Sequence, residues 1–397
     1  MSVIKDVVKL ENNNPELLFL HPSNEKIGIN PKLESQYKML QKFKNLINDF
    51  ELSKWDYYKK LSNKYELVYI SNDSYNSISL YKPISRAYYK LWEIINDFDI
   101  IDNSISEYIY VGLAEAPGGF MEAFINYRKN FFLGKKDKKY CITLRQNNSD
   151  IPNWSKANNF IRKYNVNINY GADNTGNLYK VENIKHLINQ VGKNSSQLVT
   201  GDGGFDFSYN FDNQENDSLR LIFCEIVAAL GLNKIGGHFV LKIYDIFLNL
   251  TVDFIYLLSK FYDNIYFTKP HTSRPANSEK YLVCKGFRGI DDSTLNNYFG
   301  IINNWENHTI YNRLFNIKIP DNILYSIYQI NKIVIRSQVE NILRTILLLT
   351  NKLNSYDIKN IKNIQIIYAV EWCKKYNVEI DNTSKYTKKK YNNYRKY

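Results

Sequence analysis

Five short stretches of this sequence bring together side chains able to cradle a nucleotide or to move a proton. An apolar run ending Val111-Gly112-Leu113 leads into Ala114-Glu115-Ala116-Pro117-Gly118-Gly119-Phe120 and then into a helical pattern. Glycines let a backbone approach a ligand closely, and a helix start offers free N–H groups. In a doubly wound α/β fold that is the nucleotide-type cofactor position, at the carboxyl end of the first strand. No GK[ST] follows, so this is not a Walker loop, and the absence of GxGxxG speaks against a nicotinamide cofactor. By itself APGG is equally an ordinary strand-to-helix turn.

The other four stretches carry charge. Gly201-Asp202-Gly203-Gly204 closes the apolar strand QLVT, so Asp202 should face the same crevice, although Asp-Gly-Gly is also a good tight turn. Lys242 sits inside Phe239-Val240-Leu241-Lys242-Ile243-Tyr244, where a lysine is costly unless it is paired or reaches a cleft. One reading is a snorkelling lysine at a strand end; the other is a general base held at depressed pKa. Arg274, Asn277 and Glu279 cluster in the polar loop TSRPANSEKY, which by composition alone reads as solvated. Arg86 and Lys90 in SRAYYKL are four apart on one face of a predicted helix, the spacing of a solvated basic face.

Taken in order, SRAYYKL, EAPGGF, DGG, LKIYD and TSRPANSEKYLVCKGF resemble the FtsJ-like RNA ribose 2′-O-methyltransferases over residues 85–288. The QEN at 214–216 and the wording of TSRPANSEKY are most similar to the cap-specific mRNA members, which methylate the ribose next to the 7-methylguanosine cap. The resemblance implies an α/β fold with a Rossmann-like methyltransferase sheet and helices on both faces. It implies S-adenosylmethionine as cofactor, held by Ser85, Ala114, Glu115, Ala116, Pro117, Gly118, Gly119, Phe120, Asn177, Leu178 and Asp202. It implies a catalytic tetrad at Lys90, Asp202, Lys242 and Glu279, and RNA contacts at Arg86, Asn216, Arg274 and Asn277. No metal is required. Lys242 would take the proton of the 2′-OH, with Lys90 pushing it toward its neutral form and the two acids orienting the lysines. Two positions depart from the family. Gly112 stands where an acid is usual, so Glu115 is expected to take over a polar contact with the cofactor. Asn177 replaces the adenine-binding Asp, which should weaken binding without abolishing it. Bulky residues at Gly118 or Gly119 are expected to fill space the cofactor needs.

The elements that must position these residues are legible as alternating strands and helices between about 85 and 290. Strands are expected at 106–113, 139–144, 197–202, 237–244 and 280–287. Helices are expected at 118–127, 183–191, 218–232 and 252–261. Residues 1–80 read as an N-terminal annex of mixed short elements, 81–290 as the methyltransferase domain, 291–384 as a helical C-terminal annex and 385–397 as a basic tail. With 52 Lys+Arg against 40 Asp+Glu the net charge is +12, which favours a polyanionic partner such as RNA. The tail, with six basic and no acidic residues, is expected to attract phosphates.

The four cysteines are too far apart for a CxxC knuckle and read as buried thiols, and the five histidines show no zinc spacing. No signal peptide or membrane span is visible, so a soluble intracellular protein of cytoplasm, viral factory or nucleus is expected. Abundant Asn, Ile, Lys and Tyr indicate an AT-rich genome, a large DNA virus or a protist. Two other readings of the chemistry stay open here: rRNA or tRNA 2′-O-methylation, and an accessory RNA-binding subunit with a vestigial methyltransferase fold. Other capping or transcription proteins are conceivable partners.

Overall fold

Side chains alternate between faces along a strand, and in this chain both faces of the inner strands are apolar, which calls for helices on both sides. The computed structural model, describing residues 28–70, 76–145, 153–205, 213–306, 312–315 and 317–388, has that architecture. Seven strands, β1 (Ile109–Leu113), β2 (Lys138–Ile142), β3 (Val166–Asn169), β4 (Ser196–Gly201), β5 (Asn233–Ile243), β6 (Tyr262–Thr268) and β7 (Lys280–Phe287), form one sheet. Their order is β3-β2-β1-β4-β5-β7-β6. Strands β1 to β5 pair in parallel, and β7 runs antiparallel to both its neighbours. The order reverses between β1 and β4, the switch point at which open α/β sheets bind ligands.

Val111, Leu113, Val199, Phe239 and Leu241 pack on one face, under α6 (Val181–Val191), α7 (Gln214–Leu232) and α8 (Asn249–Phe261). Tyr110, Leu198, Val240, Tyr281 and Val283 pack on the other, under α3 (Ala87–Phe98) and α4 (Gly119–Asn130). All five expected strands are present, as are the expected helices. The two strands without a sequence signal, β3 and β6, are the two edges of the sheet. Edge strands are half solvated, and VNIN and YDNIYFT carry polar residues where inner strands carry apolar ones.

Among its described residues, the segment before the sheet contributes helices α1 (Glu34–Asn45) and α2 (Leu52–Ser62), and strand-like pairing as isolated bridges such as Ile29–Leu248. After the sheet come α9 (Asp292–Glu306), α10 (Asp321–Thr350) and α11 (Ser355–Lys375), with the short α5 (Asn158–Tyr164) completing the set described. The segments before and after the sheet meet. Ser62 Oγ and Thr345 Oγ1 are 2.8 Å apart, and Gln365 Nε2 donates to the carbonyls of Lys60, Leu61 and Asn63. Leu33 and Leu40 enter the same core as the sheet. The first part of the expected N-terminal annex, residues 1–27, and most of the basic tail, residues 389–397, lie outside the described residues.

An ion cluster fastens α1 to the sheet just beyond Lys242. Lys44 Nζ reaches Asp245 Oδ2 at 2.8 Å, and Lys280 Nζ lies 3.7 Å from Asp245 Oδ1, all three side chains being buried. Burial pushes the Asp245 carboxyl up, but the two ammonium groups outweigh it and its pKa ends below the usual value. Its stabilisation is therefore present above the unfolded carboxyl pKa of about 3.9 and is lost as pH falls through its lower folded value. Asp245→Ala strands two buried ammonium groups and is expected to lower stability by about 3–5 kcal/mol in urea unfolding. An unchanged midpoint would contradict the cluster's role.

Candidate active site

The parity that sorts apolar side chains also aims Lys242. It lies two residues beyond Val240 on β5 and opposite Tyr281 in the β5–β7 ladder, so it points to the α3 side of the sheet at the carboxyl edge. Asp202 follows β4, the neighbouring strand, and the Lys242 Nζ donates to its backbone carbonyl at 2.7 Å and lies 3.2 Å from its Oδ1. Lys90 comes down from α3, whose apolar residues at 88, 91, 92, 95 and 98 dock that helix on the sheet. Its Nζ meets Glu279 Oε1 at 2.7 Å. Tyr281 joins the two pairs, its hydroxyl donating to Asp202 Oδ1 at 2.9 Å and lying 3.4 Å from Glu279 Oε1. All four expected tetrad residues thus stand in one cluster, with a phenol that sequence reasoning did not single out.

The electrostatics correct one expectation. Burial pulls the Lys242 ammonium down, but Asp202, Tyr244, Glu279 and Glu225 together overcome it and raise its pKa above the ordinary lysine value. Burial likewise pushes Glu279 up, and the ammonium groups of Lys90 and Lys242 bring it down to about 2. Without cofactor or RNA, Lys242 is therefore a protonated partner in an ion cluster rather than a neutral base. Glu225 also went unremarked as a site residue, although a charge inside the apolar run Ile222–Leu232 was the available signal. It is fully buried, accepts from Gly203 N at 3.0 Å, and is pushed by burial to about 8.

The glycine turn is built as its sequence suggests but packed differently. Gly118 has φ +105°, where an L side chain is strained, and a Cβ there would lie 2.5 Å from the Trp154 ring. A Cβ on Gly119 would collide with Ser85 Oγ. The first atom of a side chain at either glycine would thus strike protein atoms. Phe120 and Leu178 are core residues, 1% and 5% exposed, so their side chains serve mainly the packing around the turn. Asn177 Oδ1 is engaged by Tyr179 N–H at 2.9 Å in a local turn, so that oxygen is committed.

Glu115 explains Gly112. A Cβ on Gly112 would lie 2.6 Å from Glu115 Oε2, so the glutamate folds back into the space that an acid at 112 would fill. Its Oε1 accepts from Met121 N at 2.7 Å, while burial raises its pKa to about 8. Among the described residues, Glu115 Oε2 and Glu225 Oε2 are both buried without a hydrogen-bond partner, beside the ends of β1 and β4 respectively. Two orphaned carboxyl oxygens at the switch point suit a cationic ligand, and in that respect the crevice fits S-adenosylmethionine.

The loop TSRPANSEKY is not free in solvent at its start, because acids missed in the sequence hold it. Glu93 on α3 accepts from His271 N at 2.7 Å, Thr272 N at 2.8 Å and Thr272 Oγ1 at 2.6 Å. Glu66 takes both Arg274, at 2.9 and 3.2 Å, and Arg86, at 3.1 Å. Arg86 also donates to the carbonyls of Thr272 and Tyr69. The two arginines expected at RNA thus clamp the loop to the segment before α3. Asn216 and Asn277, the other expected RNA contacts, are exposed, and a hydrogen bond from Ser278 to Gln214 brings their two segments together.

A family model described as FtsJ-like methyltransferase matches residues 83–287. The cap-specific mRNA (nucleoside-2'-O-)-methyltransferase 1 of Trypanosoma cruzi (strain CL Brener) is 32% identical over 216 residues, 52% of this chain and 57% of its own. The proteins of the same name from Dictyostelium discoideum and Mus musculus are 27% identical over 328 residues and 34% identical over 199. Those alignments cover 76% and 48% of this chain, and 41% and 23% of theirs. The chain therefore spans little more than half of these relatives at most. All three are eukaryotic, and nothing in them supports the viral source expected from composition.

Because the Asp202 carboxylate does most to hold the proton on Lys242, Asp202→Asn should lower the Lys242 pKa in the cofactor-free protein. Side-chain NMR of labelled lysine reads this directly. Titration of Lys242 at the same pH in both proteins would refute the coupling.

Proposed function

The chain belongs to the FtsJ-like methyltransferase family, and from that premise we propose that it transfers a methyl group from S-adenosylmethionine to a ribose 2′-OH of RNA, at the cap-proximal nucleotide of mRNA. The observation that carries this reading is the assembly of Lys90, Asp202, Lys242 and Glu279 into one charge-balanced cluster at the carboxyl edge of the sheet. The names of the relatives, all cap-specific mRNA enzymes, support the choice of substrate.

A ribose hydroxyl is a poor nucleophile and must lose its proton as it reacts. Lys242 Nζ would take it. Asp202, itself held by the Tyr281 hydroxyl, keeps that lysine in position, while Glu279 holds Lys90. Glu115 and Glu225 would face the cofactor's positive charge with their unpartnered oxygens. When bound, S-adenosylmethionine supplies a methyl group on a cationic sulfur, and positive charge in the crevice disfavours the Lys242 ammonium. Exposed Asn216 and Asn277 are the proposed RNA contacts that remain at the mouth.

Lys242→Ala should abolish labelled-methyl transfer while cofactor affinity by calorimetry stays nearly unchanged, since the base acts in the transition state. Lys242→Arg should also be inactive, because guanidinium does not release its proton. Transfer to capped but not uncapped short RNA supports the cap reading; equal transfer to both would refute it. With the Lys242 pKa raised, single-turnover rates should climb with pH between about 7 and 9 as the neutral amine accumulates. A flat profile would count against Lys242 as the base.

A further inference from the structure

Next to the tetrad lies a second concavity of about 720 Å³, walled by the loop at 269–275, residues 63–65, α10 and Tyr368 of α11. Its volume is in the range of ligand-binding clefts. Five basic side chains line it, Lys64, Lys269, Lys332, Arg336 and Arg344, against one acid, Glu340. Lys332, Arg336, Glu340 and Arg344 follow at steps of four along α10, so they form one stripe down a single helix face. Glu340 is taken by Arg336 at 2.9 Å. Lys332 and Arg344 have no carboxylate partner among the described residues.

Two features make this more than a basic patch. Tyr65 and His271 stack at its wall with centroids 4.6 Å apart and planes 28° apart, and burial pushes the His271 pKa down to about 4, so the ring is neutral. The wall is also shared with the tetrad. Ser273 Oγ donates to Glu279 Oε1 at 3.0 Å and Lys269 Nζ to the Glu279 carbonyl at 2.6 Å, and both residues line the cleft. A strand with one ribose at the tetrad has this cleft as its immediate continuation. Most of the cleft's charges, and Tyr65 and Tyr368, lie outside the family match at 83–287.

We propose that this cleft binds the phosphodiester backbone of the RNA strand being methylated, with a base against the Tyr65–His271 stack. This rests on the methyltransferase reading above. Cations that track a backbone beside an aromatic platform are how single strands are held without sequence readout. Burial lowers the Lys269 pKa to about 7, and a phosphate in the cleft would favour its protonated form.

The test compares the full-length protein with the triple variant K332A/R336A/R344A, using fluorescence anisotropy on an uncapped single-stranded oligonucleotide and on a cap dinucleotide. Oligonucleotide affinity should fall roughly tenfold or more, and the slope of log K against log salt should drop by about 2, three contacts at ~0.7 each. The variant K332R/R336K/R344K should recover most of both, which separates lost charge from lost packing. An unchanged affinity and slope would overturn the proposal. Loss confined to the cap dinucleotide would place a cap triphosphate there and overturn the strand assignment. If the wild type bound neither RNA, the methyltransferase reading itself would fail, a result distinct from failure of the cleft alone.

Discussion

Four charges that would each be costly to desolvate alone are drawn together, Lys242 buried and the other three largely withdrawn from solvent. Lys90, Asp202, Lys242 and Glu279 balance one another, and Tyr281 connects the two pairs. Desolvation opposes every one of these ions, and only close opposite charge offsets it. The architecture can be understood as the means of keeping that balance. Adjacent parallel strands bring Asp202 beside Lys242, a docked helix lowers Lys90 onto Glu279, and an antiparallel strand supplies Tyr281.

A cluster of this kind demands a rigid frame, because a small displacement would leave an ion unpaired. The frame comes from three further buried acids. Glu93 holds the loop before Glu279 by its backbone, Glu66 holds it by two arginines, and Asp245 fastens α1 beside the end of β5. Gln338 of α10 adds a bond to the Ala276 carbonyl. The helices flanking the sheet in sequence thus serve the site, both by bracing the loop and by lining the cleft that adjoins it.

The first strand shows how a chemical feature can move while its place in space stays. Glycine at 112 opens a space and Glu115, three residues later, fills it. The carboxyl is deeply buried with one oxygen unsatisfied. That costs stability unless something positive occupies the crevice, which couples the fold to its ligand.

The sequence by itself determined the inner strands and the helices between them, because continuous apolar runs are local signals; the four tetrad positions came from the resemblance of its motifs, Lys90 and Glu279 reading by themselves as a solvated helix face and loop. It was silent on β3 and β6, whose exposure as edges dilutes their apolar character. Tertiary structure alone decided how charges are partnered. Arg86 and Arg274 look like RNA ligands in the chain and are bound to Glu66, while Lys242 looks like a depressed-pKa base and is held protonated by acids from β4, α7 and the start of β7. A side chain's protonation and availability depend on which opposite charges the fold carries to within a few ångströms of it, and residues 66 and 274, or 202 and 242, meet only when the sheet and its bracing helices are complete.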